Sequence, residues 1–391
     1  MRYIYQHIAA ILSHYDGSLP LTHFLKNYYK QYPKLGSRDR KILSEMAYCW
    51  YRAERGLNPA LSFEDRIHAA LFLCASNQKV INPLLPDALK LNDGLSYAQK
   101  QEVLNLHFAS GNAFSLQSLW GFDTKLSDGI DMQQWLQTML SQPDMFIRIR
   151  RNKEKLSGIL LSHSISYKEI TADCIALPNG SKIDELLPEA DYVVQDASSQ
   201  QTGSFFHPLP KQHWWDCCSG AGGKSLLLTD KQPAIKLTVS DTRESILHNL
   251  IQRFKRYGLP LPATVKADIA NEKDVQLQLG TATFDDIICD VPCTGSGTWA
   301  RTPEQLYFFR EDTLRQITGV QKSIAANAVS RLKAGGTIIY ITCSVFREEN
   351  EDVVTHILQQ SSNIELISMQ LINGAAVHAD SMFVAVLKKK G

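Results

Sequence analysis

Apolar positions along the chain change their period near residue 143 and again near residue 200. Up to about Asp131 they recur at helical spacing: Ile8, Ile11 and Leu12, then Leu43, Met46, Ala47 and Trp50, then Ile67, Ala70, Leu71 and Cys74. Loop signals such as Asp16-Gly17-Ser18 and Asn82-Pro83-Leu84-Leu85-Pro86 separate these runs, so residues 1–140 are expected to form a helical domain. The cations of Lys34-Leu35-Gly36-Ser37-Arg38-Asp39-Arg40-Lys41 mark a helix start facing water. From Phe146 to Arg150 apolar and basic residues alternate, as in a strand with one buried face and one exposed positive face. Leu156 to Leu161 suggests a helix, Ile175-Ala176-Leu177-Pro178-Asn179-Gly180 a turn, and Tyr192-Val193-Val194 a strand. Residues 141–200 thus read as a small α+β module, and Gln195-Asp196-Ala197-Ser198-Ser199-Gln200 as a polar hinge into a last domain, 201–391.

In that last domain apolar runs alternate with helical segments. Trp214-Trp215 precede Asp216, Ile235 to Val239 precede Asp241, Thr264-Val265 precede Asp268, Ile287-Ile288 precede Asp290, and Ile338 to Ile341 precede Thr342-Cys343. This βαβ rhythm predicts an α/β fold with a doubly wound, mostly parallel sheet, closed by a final strand at Met382 to Leu387 that is antiparallel. Carboxyl ends of parallel strands share one rim, so the acids should converge on one crevice.

Composition changes this picture little. The 391 residues are 44% hydrophobic and 21% charged with a formal charge of +1, ordinary values for globular domains. The net charge neither demands nor excludes nucleic acid. Local clustering does more: Arg148, Arg150, Arg151, Lys153 and Lys155 form the strongest candidate for a phosphate-contacting surface. The eight cysteines show no disulfide framework, and no stretch approaches the roughly 18 apolar residues of a membrane span. A cytoplasmic protein with reduced thiols is expected, without membrane attachment or metal, and as a monomer.

The rim carries the chemistry. In Asp216-Cys217-Cys218-Ser219-Gly220-Ala221-Gly222-Gly223-Lys224-Ser225 a P-loop fails because Cys218 stands where its first glycine is needed, and a dinucleotide fingerprint fails at Ser225. Glycines that let backbone approach a ligand, with Asp241 placed for ribose hydroxyls and Asp268 for adenine, favour S-adenosylmethionine. The stretch Phe284 to Gly297 then ends a buried strand in acid, proline and thiol at Asp290, Pro292 and Cys293.

These residues reach a known family. The chain resembles the RsmB/Sun S-adenosylmethionine-dependent RNA cytosine-5 methyltransferases. The likeness rests on Asp290-Val291-Pro292-Cys293-Thr294-Gly295-Ser296-Gly297 and on Tyr340-Ile341-Thr342-Cys343-Ser344 followed by Glu348-Glu349-Asn350-Glu351. Gly36-Ser37-Arg38-Asp39-Arg40 resembles the family's NusB-like RNA-binding domain, and residues 141–200 its small RNA-binding module. The resemblance implies a Rossmann-like class I methyltransferase domain at 201–391. It places cofactor contacts at Cys218, Ser219, Gly220, Ala221, Gly222, Gly223, Lys224, Asp241, Asp268 and Asp290. It also makes Cys343 the nucleophile toward cytosine carbon-6 and Cys293 the thiol that helps release the product. Asp290 is assigned to the base, where a carboxyl group stabilises the adduct. RNA contacts are expected at Arg148, Arg150, Arg151, Lys153 and Arg301. The implied product is 5-methylcytosine in small-subunit ribosomal RNA.

The sequence departs from the family pattern at Ala221, Val291, Ala300 and Arg150, where proline, alanine, arginine and asparagine are usual. Other readings are a transfer RNA cytosine-5 methyltransferase, a non-catalytic RNA-binding or regulatory protein on the same fold, and a zinc or iron-sulfur site. The last fits poorly with adjacent Cys217-Cys218 and with the spacing of Cys289 and Cys293.

Overall fold

A computed structural model describes residues 2–91, 94–108 and 112–391. Met1, Asn92, Asp93 and residues 109–111, all within the expected helical domain, lie outside the described residues. The chain groups into two compact units. One comprises Met1–Asp123, Asp131–Gln142 and Thr298–Arg310; the other comprises Thr124–Ile130, Pro143–Gly297 and Glu311–Gly391.

The first unit is helical: α1 (Arg2–His14), α2 (Leu21–Gln31), α3 (Ser37–Ala53), α4 (Phe63–Cys74), α5 (Gln78–Ile81), α6 (Tyr97–Phe108) and α7 (Met132–Met139). The helix start read from Gly36 to Lys41 is present, with Gly36 N donating to Asp39 Oδ2 at 3.3 Å. The apolar stripe of α3, Leu43, Met46, Ala47 and Trp50, is buried as its spacing predicts. The later segment Thr298–Arg310 adds the short helix α13 (Pro303–Phe308), whose buried Glu304 accepts a hydrogen bond from Leu21 N at 3.1 Å.

The second unit contains two sheets. The smaller consists of β1 (Met145–Ile149), β2 (Lys168–Glu169), β3 (Cys174–Leu177) and β4 (Tyr192–Val194), in the order β2-β3-β1-β4 with antiparallel pairing, beside helix α8 (Lys153–Ser162). Here the structure corrects three expectations. Ile175 to Leu177 belongs to strand β3, all four residues of which are buried, and only Pro178 to Gly180 turns, with Gly180 at φ +80°. Strand β1 is internal, paired on both sides, so Arg148 and Arg150 do not lie on an exposed face. Both guanidinium groups reach Asp230 at 2.7 Å, and Arg150 Nη1 also donates to Ala190 O at 2.7 Å. An alternating apolar and basic run looks the same in sequence whether water or a buried carboxylate receives its charges. Third, Gln195 to Gln200 is no open hinge. Asp196 caps helix α9 (Ala197–Gln201), Asp380 N donates to its other oxygen at 3.1 Å, and Gln195 and Ser198 are buried.

The larger sheet has strands β5 (His213–Asp216), β6 (Lys236–Asp241), β7 (Ala263–Lys266), β8 (Phe284–Asp290), β9 (Leu332–Thr342), β10 (Ile364–Ile372) and β11 (Met382–Lys389). Their order is β10-β11-β9-β8-β5-β6-β7. Strands β5 to β9 pair in parallel, while β11 runs antiparallel to β9 and β10. Helices α10 (Gly223–Lys231), α11 (Glu244–Arg256), α12 (Glu272–Leu279), α14 (Glu311–Ser330) and α15 (Glu351–Gln360) follow the strands. One core layer packs Trp215, Phe284, Ile287, Tyr340 and Phe383, and another packs Trp214, Val239, Ile288, Ile339 and Ile341. Consecutive residues of β5, Trp214 and Trp215, therefore enter different layers, as the two-residue period of a central strand requires.

Candidate active site

Each acid that closes a parallel strand arrives at one edge of this sheet because β5, β6, β7 and β8 share a direction. Beyond β5 the chain turns through Cys217 to Gly222 into α10. Gly222 adopts φ +83°, and a Cβ there would stand 2.7 Å from Leu250 Cγ, so glycine is required on both counts. Above Gly220 and Gly223 nothing lies within 4 Å of a Cβ position, which leaves room for a ligand against the backbone.

Asp216 is buried, and Ser225 Oγ donates to its Oδ2 at 2.5 Å. Burial pushes this carboxyl up to about 7, with neighbouring Asp290 adding to the rise. Asp241, last residue of β6, is gripped by Arg243, whose Nε and backbone N donate to Oδ1 at 2.9 and 2.8 Å and whose Nη2 donates to Oδ2 at 3.0 Å. Burial works against ionisation of Asp241, but these bonds outweigh it and hold the carboxyl below its usual range. Asp268, just past β7, is exposed, and its Oδ1 accepts from Ala270 N at 3.0 Å.

Asp290 ends β8 and forms an ion pair with Lys224 at 2.7 Å. Burial pulls Lys224 down, yet the Asp290 charge beside it prevails and keeps the ammonium above its ordinary value. Sequence reasoning put both residues on the cofactor without seeing that they pair. Three residues past Asp290, Cys293 Sγ lies 3.2 Å from Cys343 Sγ, which follows the end of β9. Adjacent parallel strands β8 and β9, in register from Asp286 with Thr337 to Asp290 with Ile341, bring these turns together. The hydrogen bond to Cys343 and burial raise the Cys293 thiol well above its ordinary value. Gly297 permits the close approach: its N donates to Cys343 O at 2.9 Å, and a Cβ would meet Ser381 O at 2.2 Å.

Sequence reasoning assigned no role to Glu349 and Asn350, although both stand in the quoted motif. Asn350 Nδ2 donates to Ser344 O at 2.9 Å and to Ser127 Oγ at 2.8 Å, while its Oδ1 accepts from Thr342 Oγ1 at 2.5 Å. Glu349 is fully buried between the two cysteine turns. No spacing rule marks such residues; only their position just after Thr342-Cys343-Ser344 hints at them.

The residues assigned to RNA separate. Arg148 and Arg150 are consumed by Asp230, whereas Arg151 is exposed. Arg151 and Lys231 join them around a cavity of about 490 Å³ that also contains Asp173. Lys153 pairs with Glu169 at 2.9 Å. Arg301 is half-buried in the first unit, in the segment Thr298–Arg310.

Residues 204–388 match the family described as 16S rRNA methyltransferase RsmB/F. Ribosomal RNA small subunit methyltransferase B of Salmonella paratyphi A is 28% identical over 280 residues, 69% of this chain and 64% of the relative. Its counterpart in Salmonella dublin is 29% identical over the same shares. The chain thus spans just under two thirds of the length of the curated relatives it matches. The crystal structure of PH0851 aligns with a TM-score of 0.69 at 18% identity, covering 98% of this chain and 97% of that one. The structure of NSun6 from Pyrococcus horikoshii with SFG aligns at 0.58 and 15% identity, covering 71% and 97%. At such identities these two establish the fold alone.

Proposed function

We propose that this chain, whose residues 204–388 match the family described as 16S rRNA methyltransferase RsmB/F, methylates carbon-5 of a cytosine in small-subunit ribosomal RNA. One observation carries the reading: two thiols at the ends of adjacent strands, 3.2 Å apart, beside a paired acid. Carbon-5 of cytosine is a weak nucleophile. Addition of the Cys343 thiolate to carbon-6 makes the ring an enamine that can attack an electrophilic methyl group. S-adenosylmethionine, when bound, supplies that methyl.

Open space over Gly220 and Gly223 and an acid at the end of β6 fit such a ligand. Residues Cys218 to Lys224 would hold it with Asp241 and Asp268. Asp290, oriented by Lys224, holds the cytosine and stabilises the adduct. Loss of the carbon-5 proton to solvent then expels the sulfur. The Cys293 thiol is in reach to hand its own proton to the departing Cys343 thiolate.

The helical residues 1–140 and the module 141–200 serve as RNA-binding parts, and Arg151 with Lys153 and Arg301 supplies cationic contacts. A cytoplasmic monomer belongs to the same proposal. Among the described residues no helix is long and apolar enough to cross a membrane. Bisulfite sequencing of total RNA from a deletion strain tests the substrate. Loss of one 5-methylcytosine from small-subunit ribosomal RNA is expected, and its retention with loss from a transfer RNA would overturn the assignment.

A further inference from the structure

Glu349 stands where a carboxylate is costly to keep. It is 0% exposed, and burial raises its carboxyl above the ordinary value. Its partners are neutral. Thr294 N and Gln321 Nε2 donate to Oε1 at 2.8 and 3.0 Å, and Thr294 Oγ1 donates to Oε2 at 2.6 Å. Ser344 Oγ donates to the same Oε2. Gln321 Nε2 also donates to Pro292 O at 2.9 Å, and Tyr340 OH to Glu349 O at 2.7 Å.

Thr294 follows Cys293 and Ser344 follows Cys343, so one carboxylate holds both thiol-bearing turns. An ionised carboxylate is acceptor-only, with about four lone-pair sites on its two oxygens. A glutamine could keep its oxygen for Thr294 N and Gln321 Nε2 and meet the two hydroxyls with its amide N–H groups, so it removes the charge and spares the contacts. A leucine would leave the Thr294 and Ser344 hydroxyls without this acceptor. We propose that Glu349 is a positioning residue that clamps the Pro292–Thr294 turn to the Cys343–Ser344 turn and so sets the spacing of the two thiols.

The clamp has an electrostatic side as well. The Glu349 charge adds to the hydrogen bond that Cys293 donates to Cys343 and to burial in keeping Cys293 protonated. The proposed release step needs that proton. The inference rests on the reading that both thiols serve one cytosine, but its test does not depend on activity.

The experiment measures how fast diamide closes a disulfide between Cys293 and Cys343 in the full chain, read by mass spectrometry of the linked peptides. Rates are compared per thiolate from their pH dependence, because losing the Glu349 charge also loosens the Cys293 proton; on that scale Glu349→Leu, which removes the acceptors, is expected to slow closure about tenfold or more. A displacement near 1 Å should lower kcat by roughly a hundredfold while KM for RNA and cofactor affinity stay within about twofold. Closure at the wild-type per-thiolate rate in folded Glu349→Leu would overturn the clamp. Should that variant not fold, Thr294→Val and Gln321→Met each remove one side-chain donor and are expected to slow closure several-fold; wild-type rates in both overturn it equally. If the wild-type chain methylates no RNA and closure still slows in the variants, the clamp is supported and the methyltransferase reading fails by itself.

Discussion

Arg243 lies over the carboxylate that the ribose of S-adenosylmethionine would need, donating to Asp241 through its side chain and backbone. The arginine is largely exposed, so its ion pair is worth only about 0.2–1 kcal/mol. Ribose hydroxyls must displace it. Arg243→Ala is therefore expected to tighten S-adenosylmethionine binding up to about fivefold in titration calorimetry; weaker binding would mean that Arg243 itself grips the cofactor. Asp216 yields a pH prediction. Its folded carboxyl is raised to about 7, so the native state binds the proton more tightly than the unfolded chain. Stability from this group is complete below the ordinary aspartate value and is lost as pH rises toward about 7, on the order of 4 kcal/mol in total. Asp216→Asn should flatten that slope in melting curves recorded from pH 4 to 8, and an unchanged slope would refute it. Legibility at this scale was uneven. Asp290, Cys293 and Cys343 stood out as reactive types at strand ends. Glu349 and Arg243 did not, because their roles lie in partners far away or on a neighbouring turn.

At the scale of elements, β1 shows what alternation conceals. The pattern from Phe146 to Arg150 gave the strand correctly, but a partner strand on each side and Asp230 on α10 turned its basic face inward. Removing that carboxylate leaves two guanidinium groups buried without their countercharge. Asp230→Ala should destabilise the second unit by about 3–5 kcal/mol in urea unfolding, and a loss below 1 kcal/mol would contradict the pairing. The β5 to β9 strands were legible because each apolar run ends in a polar residue at the same edge. Strand β3 was not: Pro178 and Gly180 at its end drew Ile175 to Leu177 into the expected turn. Gly297 also belongs at this scale. A Cβ 2.2 Å from Ser381 O forces β11 away from the Cys343 turn, so Gly297→Ala should cost activity at least tenfold even where the chain folds.

Across the whole molecule, the two changes of period foretold helical, mixed and α/β parts in that order. Sequence could not show that Thr298–Arg310 leaves the α/β domain to join the helical unit, since nothing in its composition marks the departure. Nor could it give the order β10-β11-β9-β8-β5-β6-β7, which depends on crossovers rather than on any one strand. With Arg148 and Arg150 neutralised, Arg151 and Lys155 are the exposed cations of that cluster, and Arg151→Ala should lower the slope of log affinity against log salt by about 0.7–0.9. An unchanged slope would remove Arg151 from the interface. The central claim is covalent catalysis by one of two adjacent thiols, and incubation of Cys293→Ser and Cys343→Ser variants with S-adenosylmethionine and small-subunit ribosomal RNA tests it on a denaturing gel. A denaturant-resistant protein–RNA band should accumulate with Cys293→Ser and be absent with Cys343→Ser; a band with Cys343→Ser, or none with either, would contradict the account.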